Sequence, residues 1–315
     1  MPNLAELPAP PNGKKGWPWT ETLPIGLSPF PPESPWPKIS IITPSLNQAA
    51  FLEQTIRSVL LQGYPDIEYI IIDGGSTDQS LPIIKKYEKW LAYWISEPDQ
   101  GQSQAVNKGI QRAHGDILAW LNSDDYYLPG TLHVIAEQFL LHPQAGAWAG
   151  GGRQIDAETG KVLWERLPPL LGFEDILNWD RYYLPQPSCF LNRKLLGPRL
   201  FLNEQYHMQM DFDLWLRVSR DHVMLPIPKI LSVNHRHGRA KTARTDLLYR
   251  ALAEKWTICL EQAGPEATAI QIEKYLSADI ALIQKFRSLT QNPMIKFFIY
   301  FIKRLSKKLF LRSET

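Results

Sequence analysis

DILAWLNSDD, residues 116–125, is the stretch on which the reading of this chain turns. Ile117, Leu118, Ala119, Trp120 and Leu121 make an apolar run of strand length, too short for an ordinary helix. It is apolar on successive residues, which suits a strand covered on both faces, as inside an α/β sheet. The run stops at Asn122, Ser123, Asp124 and Asp125, and Pro129-Gly130 reads as the entry to a helix. Adjacent carboxylates at the carboxyl end of a buried strand stand where open α/β sheets bind their ligands. Side by side they repel, so a positive partner is expected, most simply a divalent cation with oxygen ligands. The alternative is that Ser123 or Asp124 caps the next helix.

Upstream, the same grammar repeats. Residues 39–43 form a β-rich run stopped by Pro44, and Ser45 or Asn47 is placed to cap the helix carrying Leu52, Ile56, Val59 and Leu60. A second run, residues 67–72, delivers Asp73-Gly74-Gly75-Ser76-Thr77-Asp78, followed by a helix through Ile83, Ile84, Tyr87 and Trp90. A third, residues 92–95, leads into residues 96–101 and a helix carrying Ala105, Gly109, Ile110 and Ala113. Strands alternating with helices predict βαβ units and a mainly parallel sheet. The loops 43–47, 73–78, 97–101 and 122–125 then converge on one sheet edge. They carry carboxylates, amides and glycines, and neither a Walker loop nor a G-x-G-x-x-G turn follows a strand. An acidic edge of this kind holds a diphosphate when a metal bridges the two.

At 315 residues the chain can bury a large core, and its net charge of +2 gives no case for nucleic acid as a partner. Its two cysteines, Cys189 and Cys259, form neither a metal spacing nor a disulfide framework, which suits a reduced, cytoplasmic setting. No signal-peptide core opens the chain and no apolar run is long enough to cross a bilayer. Residues 1–37 are rich in proline, which forbids regular helix. Trp17, Trp19, Phe30 and Trp36 favour an extended arm lying on the main domain over a free tail.

The segments TPSLNQ (43–48), SVLLQGYP (58–65), IIIDGGSTD (70–78), SEPDQGQSQAVNKGI (96–110) and WLNSDD (120–125) together resemble family 2 glycosyltransferases. The resemblance runs from about residue 38 to about residue 241 and implies a GT-A fold: a mainly parallel, mixed open α/β sheet flanked by helices. It implies a catalytic domain over 38–244, with a nucleotide-binding half (38–128) and an acceptor half (129–244), and a helical extension over 245–315. The implied reaction moves a sugar, with inversion, from a nucleoside-diphosphate sugar to a hydroxyl of a glycan or lipid-linked glycan, using Mn²⁺ or Mg²⁺. By the same match Asp73 contacts the nucleotide base, with Thr43, Pro44 and Asn47 in that pocket. Asp99, Gln104, Asn107 and Lys108 flank the donor; the lesser alternative for Asn107 and Lys108 is plain solvated helix surface. Asp124 lies by the ribose or donor sugar, and Asp125 holds the metal. In YHMQMDFDLWLRV (206–218), Asp211 matches the family's catalytic base, while Met210 stands where the family has Glu. Asp213 reads as a helix-dipole carboxylate. His237, in Asn234-His235-Arg236-His237-Gly238, falls near the diphosphate or metal; the alternative is a hydrogen-bonded loop histidine. Gln186-Pro187-Ser188 matches an acceptor-side segment.

The tail PMIKFFIYFIKRLSKKLFL (293–311) is aromatic and basic. It suits an interfacial helix on an anionic membrane, which would place the protein peripherally on the inner face of the plasma membrane. A helix packed on the domain has the same pattern. Two rival functions remain. A sugar nucleotidyltransferase needs a basic loop near the amino terminus, and residues 43–48 contain no Lys or Arg. A non-catalytic nucleotide-sugar or glycan-binding member would not need Asp124, Asp125 and Asp211 together.

Overall fold

Ile39–Ser45 forms β1, and all seven of its residues are buried, as a β-branched central strand requires. It is followed by α1 (Ala49–Leu60), β2 (Ile67–Asp73), α2 (Ser80–Tyr87), β3 (Tyr93–Ser96), α3 (Gln102–Arg112) and β4 (Ile117–Trp120). The computed structural model describes residues 2–23, 36–178, 184–238 and 240–291, and of residues 242 and 278–291 the backbone alone. β1 pairs in parallel with β2 on one side and β4 on the other, and β2 pairs in parallel with β3. The chain therefore builds outward from β1, then returns across it to lay down β4. That reversal opens a crevice beyond the carboxyl ends of β1 and β4, the topological switch point of the sheet.

The second half supplies β5 (Asp125–Tyr127), α4 (Thr131–Leu141), β6 (Ala147–Asp156), β7 (Val162–Arg166) and α5 (Phe173–Leu177). It continues through β8 (Cys189–Asn192), α6 (Arg193–Leu196), α7 (Met210–Asp221) and β9 (Met224–Arg236). The sheet runs β3-β2-β1-β4-β8-β6-β9-β5, with β7 on β6. β8 is antiparallel to β4, so the sheet is mixed, as expected. Two local expectations differ. Asp125–Tyr127 forms a short strand against β9, with Asp125 opposite Asn234. Gly130 then precedes α4 with no side-chain cap, so neither Ser123 nor Asp124 caps a helix. At α1, neither Ser45 nor Asn47 caps: the Ala49 N–H donates to Asp78 Oδ2 (3.0 Å) and the Gln48 N–H to Ser80 Oγ (3.1 Å), so the loop after β2 supplies the cap.

Residues 2–23 lie on this body as the tryptophans suggested. Arg57 of α1 is fully buried, which a guanidinium tolerates only with its donors met. Its Nε donates to Pro18 O (3.0 Å), Nη1 to Pro8 O (2.8 Å) and Tyr87 Oη (3.1 Å), and Nη2 to Trp19 O (3.1 Å). Trp17 Nε1 donates to Tyr127 O at 2.7 Å, binding the arm to β5. Trp36 meets Tyr64 and His133 edge-on.

The chain divides into Met1–Ile258 and Cys259–Thr315. α8 (Leu248–Gln291) starts close to the expected residue 245, but its residues up to Ile258 belong to the first unit. In the second unit the helix is interrupted at Gly264 (φ 83°), followed by Pro265. The basic stretch 293–311 lies outside the described residues. Among the described residues no helix is long and apolar enough to cross a membrane.

Replacing Arg57 with Ala strands three arm carbonyls in a dry interface and is expected to destabilise the fold by about 3 kcal/mol. The measurement is the denaturation midpoint together with limited proteolysis; faster cleavage within residues 2–23 is expected, and unchanged cleavage would contradict the clamp.

Candidate active site

The crevice at the switch point is a cavity of about 540 Å³. Pro44, Ser45, Leu46 and Gln48 come to it from the end of β1, and Trp120 and residues 122–125 from the end of β4. Met210 and Asp211 come from the start of α7, and Asn234 and His235 from the end of β9. Four carboxylates therefore meet one cavity: Asp99, Asp124, Asp125 and Asp211.

Asp125 is buried, and its carboxyl is held well above the usual carboxylate range, first by burial and then by repulsion from Asp124. Hydrogen bonds from the Asn122 and Asn234 amides and the His235 N–H oppose that rise. From behind, Thr55 of α1 places its hydroxyl between Ser123 O (2.9 Å) and Asp125 O (2.7 Å), fixing the turn that carries both acids. Asp124 Oδ2 meets His237 Nε2 at 3.0 Å, and Asp124 O meets His235 Nδ1 at 2.6 Å. The carbonyl contact requires Nδ1 of His235 to carry a proton. Both histidines lie on one strand face against Phe51, with centroids at 5.0 and 4.6 Å, as their i, i+2 spacing requires. His237 thus grips Asp124 through the nitrogen that it turns toward the acids.

Asp211 is the second residue of α7 and half-buried. Burial pushes its carboxyl up to about 6, against the Phe212 N–H and the Lys241 ammonium, which pull it down. Trp215, on the same helix, stacks on Trp120 with centroids 5.6 Å apart, which joins α7 to the end of β4. Met210 is buried with its sulfur 2.9 Å from Ser103 Oγ, so apolar packing against α3 occupies the position beside Asp211. Asp213 pairs with Arg217 at 2.9 Å and is structural.

Among the described residues no group of three or more His, Cys, Asp and Glu side chains could hold a metal by itself. Two adjacent carboxylates nevertheless fit a cation whose other ligands are substrate phosphate and water, the usual case for Mg²⁺. Two polar atoms at the cavity also lack partners in the protein: Ser45 Oγ and Asn234 Oδ1 are buried without a hydrogen bond.

The remaining expected donor residues are engaged with other groups of the protein and are not among those that line the cavity. Asp73 is fully buried, and its carboxylate accepts from Gly75 N (3.2 Å), Ser76 N (2.8 Å), Ser76 Oγ (2.5 Å) and Ser96 Oγ (2.7 Å). Thr43 Oγ1 meets Tyr69 Oη at 3.1 Å. Asn47, at φ 54°, accepts the Thr77 N–H at 2.9 Å. Gln104 and Asn107 bond Glu204, and Lys108 pairs with Glu97 at 2.7 Å. Gln186 accepts from Asn122 at 3.1 Å and donates to Trp120 O at 2.9 Å, joining the acceptor-side segment to the acidic turn.

Sequence reading missed the cationic wall. Lys241, Arg244 and Arg250 line the cavity from the segment after β9. Lys241 Nζ donates to Gln102 Oε1 at 2.9 Å, and Gln102 Nε2 donates to Asn122 Oδ1 at 2.6 Å. Burial depresses the Lys241 ammonium, while Glu254, Asp99 and Asp124 hold it up. The sequence signal was present: basic residues spaced by three and six positions follow directly on the strand that carries the histidines.

A mixed open sheet flanked by helices, with a parallel half whose edge carries paired acids, is the GT-A layout. The family model described as Glycosyl transferase family 2 matches residues 40–197, half of the chain, and the chain belongs to that family. An uncharacterized glycosyltransferase of Mycobacterium tuberculosis is 45% identical over 92 residues, 29% of this chain and 35% of that protein. The putative teichuronic acid biosynthesis glycosyltransferase TuaG of Bacillus subtilis is 34% identical over 146 residues, 45% of this chain and 57% of that protein. The chain thus spans about a third to a little over half the length of these curated relatives. Among solved structures, S. aureus TarS 1–349 in complex with UDP-GlcNAc aligns with a TM-score of 0.59 at 18% identity, covering 76% of this chain and 71% of that one. The mannosyltransferase PcManGT from Pyrobaculum calidifontis, in complex with GDP-Man and Mn²⁺, aligns with a TM-score of 0.54 at 16% identity, covering 84% of this chain and 86% of that one. These two likenesses support the fold.

Because the Asp73 carboxylate accepts from Gly75, Ser76 and Ser96 of β3, Asp73→Asn sets an amide N–H against donors that expect an acceptor. A loss of about 2 kcal/mol of stability is expected along with any loss of nucleotide binding. An unchanged melting temperature with nucleotide binding lost would instead indicate a carboxylate that serves the ligand directly.

Proposed function

We propose that the protein is an inverting glycosyltransferase, dependent on a divalent cation, that moves a sugar from a nucleoside-diphosphate sugar to a hydroxyl of a glycan or lipid-linked glycan. The observation that carries this reading is the meeting of Asp124, Asp125 and Asp211 in one cavity, from two strand ends and a helix start. Asp125, with Asp124 beside it, would hold Mn²⁺ or Mg²⁺ against the diphosphate. When bound, the cation supplies charge neutralisation for the leaving group. His237, whose Nε2 meets Asp124 Oδ2 at 3.0 Å, would hold that acid in place or join it at the ion. Ser45 and Asn234 offer buried polar atoms that a donor would satisfy.

Asp211 is the general base. Its carboxylate takes the proton of the acceptor hydroxyl, whose oxygen attacks the anomeric carbon from the face opposite the diphosphate. The bond to the diphosphate breaks, and the anomeric configuration inverts. The relatives support the reading too: the TarS and PcManGT structures are complexes with nucleotide sugars, and the Bacillus relative is named a putative teichuronic acid biosynthesis glycosyltransferase. The latter favours cell-surface polysaccharide synthesis, with the protein peripheral on the cytoplasmic face of the membrane.

Substituting Asp211→Asn should lower turnover about 10²- to 10⁴-fold, the range of general-base contributions, while nucleotide affinity is retained. Turnover at the wild-type rate would refute the base assignment. A base must be deprotonated to work, and burial raises Asp211 to about 6. Activity should therefore rise through pH 6 and be about tenfold lower at pH 5 than on its plateau. A flat pH–rate profile from pH 5 to 8 would contradict it.

A further inference from the structure

Glu254 lies on α8, 8% exposed, and no part of the mechanism above uses it. Its Oε2 accepts three successive backbone N–H groups, from His207 (3.0 Å), Met208 (2.7 Å) and Gln209 (3.1 Å). Oε1 also takes the His207 N–H (3.0 Å) and Arg250 Nε (2.9 Å). These donors pull its carboxyl below the usual range in spite of burial. Three consecutive N–H groups converging on one oxygen form an anion nest, here filled by a side chain of the same protein.

The nest lies immediately before α7. Gln209, at the cap position of that helix, makes no side-chain capping bond, so Glu254 does from another element what a capping residue does locally. Asp211 follows two residues later. The same turn is held from the opposite side by α3, where Ser103 Oγ reaches Tyr206 O at 2.8 Å and Met210 Sδ at 2.9 Å. Lys241 Nζ adds a contact to His207 O at 3.4 Å. The donor side of the cavity, built by the ends of β1 and β4, makes no hydrogen bond with Glu254. A carboxylate that touches neither acid turn nor donor loop, yet fixes the backbone from which the base projects, has a directional role.

We infer that Glu254 is a positioning residue for transfer: it holds the turn at residues 207–209 and so sets where Asp211 meets the acceptor. This rests on Asp211 being the base, and the consequences separate the two claims. Loss of the nest lets the turn drift and releases Arg250 in the cavity wall, while the acid turn keeps Thr55 behind it, so the larger defect falls on the chemical step. A displacement of about 1 Å in a catalytic group can cost about a hundredfold in rate.

The test uses the full chain with Mn²⁺ and either UDP-GlcNAc or GDP-mannose, following release of the nucleoside diphosphate, with hydrogen exchange at residues 207–212 measured alongside. Glu254→Ala should lower kcat about 10- to 100-fold and leave donor KM and UDP or GDP affinity within about twofold. Exchange at residues 207–212 should accelerate. Glu254→Gln keeps one carbonyl oxygen for the three N–H groups but turns its amide toward Arg250 Nε–H, and should retain kcat better than Glu254→Ala, with slower exchange. A kcat near wild type in Glu254→Ala, with Asp211→Asn inactive, overturns the positioning role and spares the base. Full activity in Asp211→Asn overturns the base reading. If Glu254→Ala does not fold, Glu254→Gln decides: a folded Gln variant as impaired as Asp211→Asn overturns the inference. Unchanged exchange in folded Glu254→Ala overturns it even where neither donor is turned over.

Discussion

Burying the Asp125 carboxylate beside a second carboxylate has two costs, lost hydration and mutual repulsion, and each grows as the surroundings become drier. The turn after β4 imposes both, because a strand covered on both faces ends in two acids. The neighbouring groups offset part of this: two asparagine amides and a backbone N–H on Asp125, a histidine on Asp124, and the Lys241 ammonium within Coulombic reach of Asp124. What remains is a site with paired acids on one wall, cations on another and two unsatisfied polar atoms, suited to a cation that arrives with a diphosphate.

Holding such a turn against its own repulsion needs a rigid backing, and the chain provides one in series. Thr55 grips the carbonyls of the acid turn, and α1 carries Thr55. α1 is itself fixed at its start by Asp78 and Ser80 from the next loop, and along its length by Arg57, whose donors are met by the arm at residues 8–19. The arm at residues 8–19 is therefore structural support for the site. On the other side α7 is set by Trp215 on Trp120 and by Glu254 at its amino end. The acid turn and the start of α7 thus each have a support of their own, Thr55 and Glu254, and are coupled through the Trp120–Trp215 stack and Lys241.

The parallel half was legible because its strands are unbroken isoleucine-rich runs ending in Asp, Asn and Gly, a pattern that encodes both burial and loop position. The acid pair and Asp211 were legible because carboxylates at strand ends and helix starts carry recognisable chemistry. β5 was not, since three residues are too few to show a period, and its pairing partner lies more than a hundred residues away. The inward turn of Asp73 was hidden for another reason. Asp-Gly-Gly-Ser reads the same whether the carboxylate serves a ligand or its own loop, and only the four donors around it decide. A fully buried Arg57 runs against the usual placement of arginine at the surface. Glu254 is invisible for a related reason: it serves a turn some 45 residues earlier, through backbone groups that every sequence possesses.

The most direct measurement is calorimetric titration of the whole chain with UDP, GDP and dTDP, each with and without Mn²⁺, repeated on Asp125→Ala. The predicted result is binding of one nucleotide that is strong with Mn²⁺, weak without it, and lost in the variant, because two carboxylates hold a cation firmly only when phosphate completes its shell. Binding of none of the three by folded protein, or binding indifferent to Mn²⁺ and to Asp125, would contradict a cation-bridged donor site at the end of β4.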